Sequence, residues 1–382
     1  MTAAMQAAGE LLLAVAAVYP LVAIVAVWNR RRRKPRPDHV DRPGSVTVLK
    51  ALCGAEPRLY ENLRSFCQQD HPDFQIVFGA RSPDDPALAV ARRLRSEFPQ
   101  LDIAVICDER VHGSNLKVSN LCNLLPHARH DILVFADSDI RVPQDYLRRV
   151  TAPLTQSLVG VVTCLYRGLA VGGGWSRLGA QFVNDWFAPS VSVVELFSSP
   201  FYAFGATIAM RRDTLDGIGG FAAVANHLAD DYRLAELVRR RGLRTELCEC
   251  QISSDVVERE AADLFEQELR WLRTIRALQP AGYVASVVTF TMPAAAAGLA
   301  LAGAGVLSTS LFAAAVIARL LLHWQGAFWR SRPADLGLAL IRDWLSLALW
   351  AVALAGRRVH WRGQRMTIDA EDPRHLVAQA SP

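Results

Sequence analysis

Apolar positions fall into distinct regimes along this chain. Ala7 to Trp28 is almost uninterrupted apolar sequence, long enough for a helix to cross a hydrocarbon core of about 30 Å. From Ser45 to about Leu278, short apolar runs alternate with helical periodicities. Val46–Leu49, Phe74–Phe78, Ile103–Cys107, Ile132–Ala136 and Val159–Cys164 read as strands, and Pro86–Phe98 and Asn115–Leu125 as helices. This alternation predicts an α/β domain with a mainly parallel sheet covered by helices on both faces. After Tyr283 the chain is apolar again, over Tyr283–Gly305, Leu307–Trp324 and Leu336–Leu354. The first two stretches read as a membrane hairpin. The third carries Arg342 and Asp343 near its middle, where a charge costs about 3 kcal/mol or more. Arg330 and Arg332 precede it, and Arg357, Arg358, Arg362 and Arg365 follow. A single crossing cannot keep both flanks on the cytoplasmic side, so this stretch reads as non-spanning.

Composition sharpens that outline. Hydrophobic residues make up 51% of 382, yet 21% are charged, and the apolar excess sits at the two ends. The net charge of +5 owes much to the run Arg30–Lys34. Directly after an apolar stretch, such a run fixes membrane orientation rather than binding nucleic acid. Glu10 precedes the stretch and the arginines follow it, the reverse of a secretory signal peptide. The expected division is a membrane anchor at 1–29, a basic and proline-rich linker at 30–44, and the α/β domain at 45–278. Membrane or interfacial helices at 279–356 and a tail at 357–382 complete it. Seven cysteines at irregular spacing form neither a disulfide framework nor a zinc pattern, as expected of reduced thiols in a cytoplasmic domain.

Candidate chemistry lies at strand ends. Ile132–Ala136 runs straight into Asp137-Ser138-Asp139, which places two carboxylates at a sheet's carboxyl edge, where open α/β sheets bind ligands. Side chains at i and i+2 of an extended segment share a side. Two hard oxygen donors there suit Mg²⁺ or Mn²⁺ carrying a diphosphate, although Asp-x-Asp also caps turns. Asp85 before Pro86 fits either a helix cap or an acceptor for a nucleotide base or ribose. Lys117 stands in the first turn of a helix, where the macrodipole disfavours a cation unless it faces a phosphate. Asp230 and Asp231 precede the amphipathic helix Arg233–Arg241. Gln267, Arg270 and Trp271 share one helix face, either as packed surface or as a cation and an indole aimed into a cleft.

Taken in order, Asp85, Asp137-Ser-Asp139, Asp231 and Gln267-x-x-Arg-Trp271 resemble the set that marks membrane-bound inverting glycosyltransferases of the glycosyltransferase-A fold. The chain is similar to ceramide glucosyltransferases, and more so to the hopanoid biosynthesis-associated glycosyltransferases. Leu49-Lys-Ala-Leu-Cys-Gly-Ala-Glu-Pro57 and His227-Leu-Ala-Asp-Asp-Tyr232 carry that second likeness. Ala51 departs from the proline expected in the family's loop. The resemblance implies that Asp85 holds the uridine of a UDP-sugar, and that Asp137 and Asp139 bind the diphosphate through a divalent cation. It implies Asp231 as the general base, with Lys117, Gln267, Arg270 and Trp271 on the donor side. It further implies a membrane lipid acceptor, a hopanoid polyol such as bacteriohopanetetrol with UDP-N-acetylglucosamine, or ceramide with UDP-glucose. The expected location is the bacterial inner membrane, with the catalytic domain cytoplasmic.

Overall fold

The computed structural model describes residues 2–33, 44–327, 334–361, 364–368 and 376–378. Most of the linker read at 30–44 lies outside them, as do Lys34, Arg330, Arg332 and Arg362. The chain forms two compact units. One holds Arg33–Arg167, Ser199–Asp255 and Thr367–Pro382; the other holds Met1–Arg32, Gly168–Ser198 and Val256–Met366.

The first unit is built on a sheet of β1 (Val46–Ala51), β2 (Phe74–Ala80), β3 (Asp102–Cys107), β4 (Ile132–Phe135), β5 (Ile140–Arg141), β6 (Val159–Ala170), β7 (Ile208–Arg211) and β8 (Arg244–Val256). The strand order is β3-β2-β1-β4-β7-β6-β8-β5. β1 pairs in parallel with β2 and β4, and β2 with β3. Antiparallel pairing enters at β4–β7, β6–β7 and β5–β8. The sheet is thus mixed: β7 runs against both β4 and β6, while β6 and β8 lie alongside in the same direction, with Arg244 N–H on the Leu158 carbonyl at one end and Val171 N–H on the Val256 carbonyl at the other.

Alternate residues of each central strand feed different cores. Val46, Val48, Ile76, Phe78 and Val134 pack in one cluster, while Leu49, Val77, Leu133 and Phe135 pack in the other. A strand buried on both faces needs a continuous apolar run, which is how these segments read. The helices Ala87–Glu97 and Leu116–Leu124 form where the periodicity places them, each within two residues of its expected ends. Parallel strands β1, β2 and β4 all end on one edge, so their following loops gather there.

The second unit is helical. Ala3–Arg32, Val306–Gly326 and Asp335–Leu354 are each long and apolar enough to cross a membrane. The helical segments Pro280–Thr289 and Thr291–Ala302 meet at a bend of 65° and together also reach that length. Leu13, Ala16, Ala17, Ala295, Ala302 and Ala315 form a core of small residues. A Cβ at Gly9 would overlap backbone atoms of Gly298 and Ala302, so this helix pair closes on glycine, as close-packed apolar helices do.

The stretch Leu336–Leu354, expected not to span, lies in the helix Ala334–Leu354, which meets the length and composition of a span. The cost assigned to its charges assumed that they lacked partners. Arg342 pairs with Glu268, and Asp343 accepts from Arg319 Nε at 2.9 Å. Arg319 also reaches Asp185 at 3.3 Å, and His323 Nδ1 lies 2.6 Å from the same carboxylate. Paired buried charges of this kind are tolerated between membrane helices.

Candidate active site

Asp137 and Asp139 leave β4 into different surroundings. The Asp137 carboxylate is half-buried and takes Lys117 Nζ at 2.6 Å, while its backbone N–H donates to the Gly205 carbonyl at 3.1 Å. Asp139 is held by β8 instead: Ser254 Oγ donates to its carboxylate at 2.5 Å, and the Asp255 N–H donates to its carbonyl at 3.1 Å. Burial, then the neighbouring Asp137 and Glu56 carboxylates, push Asp139 up to about 7. Ser138 Oγ donates to Glu56 at 3.0 Å, bringing the loop after β1 against the pair. Beneath them Lys50 is fully buried; its Nζ donates to the Asp137 carbonyl at 2.5 Å and lies 3.9 Å from the centre of the Phe66 ring. Burial lowers Lys50 to about 7, against the pull of Asp137, Asp139 and Glu56.

This donor set fits a divalent cation. Burial first, then the nearby Asp137 and Glu56 carboxylates, raise Asp139, and a hard cation would offset the charge of these groups. Among the described residues no group of three His, Cys, Asp or Glu side chains converges as a metal cage. A carboxylate pair completed by substrate phosphates and water is the usual setting of Mg²⁺.

The second acidic pair opens the helix Asp230–Arg240. Asp231 Oδ1 accepts the Tyr232 N–H at 2.7 Å, and Oδ2 accepts the Gly205 N–H at 2.8 Å. Burial, then Asp230, push the Asp231 carboxyl up to about 6, with Lys117 opposing. Asp230 accepts from Asn115 Nδ2 at 3.2 Å and stands 3.7 Å from Lys117 Nζ. Burial alone would lower Lys117; Asp137 and Asp230 more than reverse this and hold it charged. The cation that sits badly on its own helix dipole is thus placed by carboxylates, and it joins the two acidic pairs. Asn115 is fully buried, caps the helix Leu116–Leu124 by accepting the Val118 N–H, and donates to the His227 carbonyl at 3.0 Å.

Gly205 sits between the two pairs. The segment Phe204–Arg212 becomes a strand only at Ile208, and Phe204 bridges Thr207 in a turn. The Gly205 N–H goes to Asp231 and its carbonyl to Asp137. A Cβ there would lie 2.9 Å from Lys117 Nζ and 3.0 Å from Asp137 Oδ2. Gly205→Ala is therefore expected to lower turnover by about 10- to 100-fold through misplaced carboxylates. Steady-state kinetics on the folded variant check this, and unchanged turnover rejects it.

Asp85 performs the capping role, since Oδ1 accepts the Ala87 N–H at 2.9 Å. It also accepts the Gly54 N–H at 3.0 and 3.1 Å, tying the loop after β1 to the loop after β2. Gly54 has φ of +77°, so the loop needs glycine there. Asn120 Nδ2 donates to the Gly79 carbonyl at 2.8 Å and holds the same edge together.

The sequence profile of glycosyl transferase family 21 matches residues 10–373. The chain belongs to that family. Ceramide glucosyltransferase 1 of Caenorhabditis elegans is 27% identical over 276 residues, 68% of this chain and 56% of its own length. A ceramide glucosyltransferase of Komagataella phaffii is 30% identical over 146 residues, 37% of this chain and 28% of that protein. The chain spans about half the length of the first curated relatives it matches. Among solved structures, a mannosyltransferase from Pyrobaculum calidifontis in complex with GDP-Man and Mn²⁺ superposes with a TM-score of 0.51 at 20% identity. The match covers 90% of this chain and 98% of that one. The fold is that of the glycosyltransferase-A class, with apolar helices toward both ends.

Gln267, Arg270 and Trp271 of this family 21 chain lie on the helix Ala261–Leu278 of the helical unit. Arg270 donates to Gln267 Oε1 at 3.0 Å, and its Cζ lies 5.9 Å from the Trp271 ring centre. Trp271 stacks on Phe182 at 5.6 Å within an aromatic cluster that includes Tyr283. Packing and polar display thus coexist on one helix face. Lys50, Glu56, Asn115 and Gly205 had no assigned role in the sequence. Two signals were available for them: a lysine inside an apolar strand, and an asparagine just ahead of helical periodicity.

Proposed function

We propose that this chain is a membrane-bound, inverting, non-processive glycosyltransferase that moves a sugar from a UDP-sugar to a hydroxyl of a membrane lipid. The observation that carries this reading is the carboxylate Asp231, raised to about 6 and aimed by two backbone N–H groups, beside the Asp137–Lys117–Asp230 ion pairs. A carboxylate with that proton affinity suits a general base near neutral pH.

Asp231 accepts the proton of the acceptor hydroxyl as its oxygen attacks the anomeric carbon. The bond from that carbon to the diphosphate oxygen breaks, UDP departs, and an α-linked donor gives a β-linked product. Asp137 and Asp139 would hold a Mg²⁺ or Mn²⁺ ion, whose charge offsets that of the diphosphate. Lys117 neutralises the same edge from the protein side, and Asp85 takes the uridine end. Gln267, Arg270 and Trp271 are assigned to the donor on the family resemblance alone. Residues 45–278 form the catalytic portion, on the cytoplasmic face of a bacterial inner membrane that the apolar helices enter.

Two acceptors have support. The relatives are named ceramide glucosyltransferases, which favours ceramide with UDP-glucose. The loops Leu49–Pro57 and His227–Tyr232 favour a hopanoid polyol such as bacteriohopanetetrol with UDP-N-acetylglucosamine. Incubating the protein with each UDP-sugar and each lipid, followed by mass spectrometry, is expected to give one glycolipid and stoichiometric UDP. Absence of both products with every pair rejects the reading in favour of a binding-only protein.

A further inference from the structure

The end of the helix Ala334–Leu354 gathers cations that no carboxylate answers. After Leu354 the chain turns at Gly356, whose φ is +80°, and passes into Arg357 and Arg358, both exposed. The helix Ala261–Leu278 meets this turn with Arg273 and Arg276. Arg276 donates to the Leu354 carbonyl and, at 2.6 Å, to the Gly356 carbonyl, while Arg273 donates to the Arg358 carbonyl at 2.6 Å. Each of these acceptors is a backbone oxygen. Among the described residues none of these guanidiniums forms an ion pair with a carboxylate. Arg273 Nε is buried with no hydrogen-bond partner, and burial, then the charge of Arg276, lower the affinity of Arg273 for its proton. By contrast, Arg177, Arg319 and Arg342 of the same unit are answered by Asp335, by Asp185 and Asp343, and by Glu268.

Uncompensated positive charge of this density attracts an anion, and guanidinium forks match phosphate oxygens with paired N–H donors. The surroundings decide which anion. Tyr283 and Trp350 stack at 5.4 Å within electrostatic reach of Arg273 and Arg276. Each ring donates to the other residue's carbonyl, at 2.6 and 3.0 Å. Val284, Val352 and Leu354 are exposed around them. An apolar helix, then a tyrosine and tryptophan, then arginines is the order of layers at a bilayer surface: acyl chains, aromatic belt, phosphates. A nucleotide or a nucleic acid would meet the arginines but leave the aliphatic side chains in water. We propose that Arg273, Arg276, Arg357 and Arg358 bind the phosphodiester headgroup of an anionic membrane phospholipid. This site rests on the membrane setting of the proposed function and is independent of its transfer chemistry.

The test uses the full chain in neutral detergent. Phosphatidylglycerol is the anionic probe, phosphatidylcholine the zwitterionic comparison, and UDP binding the control for folding, with retained lipid read by native mass spectrometry. The wild type is expected to prefer phosphatidylglycerol by about tenfold or more, and to lose that preference as salt is raised to about 0.5 M NaCl. Joint replacement Arg357→Gln and Arg358→Gln leaves the backbone acceptors of Arg273 and Arg276 in place. It is expected to weaken phosphatidylglycerol binding by about tenfold or more, with UDP binding unchanged. Equal retention of phosphatidylcholine, unchanged phosphatidylglycerol affinity in the double variant, or displacement by equimolar UDP or inorganic phosphate overturns the proposal. Should the double variant lose UDP binding, the wild-type salt series decides, and a preference indifferent to salt overturns it equally. The two readings fail separately. A salt-sensitive, arginine-dependent preference without any glycolipid product removes the enzymatic reading alone. Glycolipid formation by a protein with no preference for phosphatidylglycerol removes this site alone.

Discussion

Asp231→Asn is expected to lower transfer by on the order of 10²–10⁴-fold, the usual loss on removing a general base, while UDP still binds. The substitution nearly preserves shape, and the amide oxygen can keep one of the two backbone N–H bonds from Tyr232 and Gly205. What it cannot do is take the acceptor's proton. The same carboxylate should also set the pH dependence. Burial and Asp230 raise it to about 6, and Lys117 opposes them. Below that value Asp231 is protonated and unable to act; above it the base is available. The wild-type kcat/KM profile should therefore rise toward a pH of about 6 and then level, and the residual activity of Asp231→Asn should lack that limb. A variant with near-normal turnover, or one that keeps the limb, moves the base to another residue.

Removal of divalent cations is expected to have the next largest effect. Asp137, Asp139 and Glu56 gather negative charge at the site proposed for the diphosphate, with Lys50 tied up below them through the Asp137 carbonyl. A diphosphate adds more charge of the same sign, so donor binding and departure of UDP both depend on a counter-ion. Loss of several kcal/mol of charge stabilisation corresponds to roughly 10²-fold or more in rate. Chelator should abolish transfer and weaken UDP binding together, and Mn²⁺ or Mg²⁺ should restore both. Calorimetric titration of UDP with and without metal reads the second effect independently of activity. Full activity in excess chelator removes the metal from the proposal.

Much of the fold was legible because its signals are local. The runs Val46–Leu49, Phe74–Phe78 and Ile132–Ala136 are continuous apolar stretches, and burial on both sheet faces requires them. The direction of the strands after β4 was not legible. β7 pairs antiparallel with β4, and nothing in Ile208–Arg211 encodes strand direction. The turn at Phe204–Thr207 was likewise hidden inside a segment with strand-like composition.

The candidate site divides in the same way. Asp137, Asp139, Asp230 and Asp231 stand out in the sequence because each pair closes on a strand end or a helix start. Their unequal roles do not, because these depend on partners far along the chain. Asp137 meets Lys117, Asp139 meets Ser254, and Asp231 meets the Gly205 amide. Arg342 and Asp343 show the same limit, since a charge inside an apolar helix reads as costly until Glu268 and Arg319 are placed beside it.

By itself, then, the sequence determined the apolar ends, the α/β middle and the order of the carboxylates, since periodicity and spacing are properties of neighbouring residues. The tertiary structure decided which carboxylate is raised and which cation joins the pairs. Those outcomes depend on desolvation and on charges brought together from distant segments, and only the folded chain specifies them.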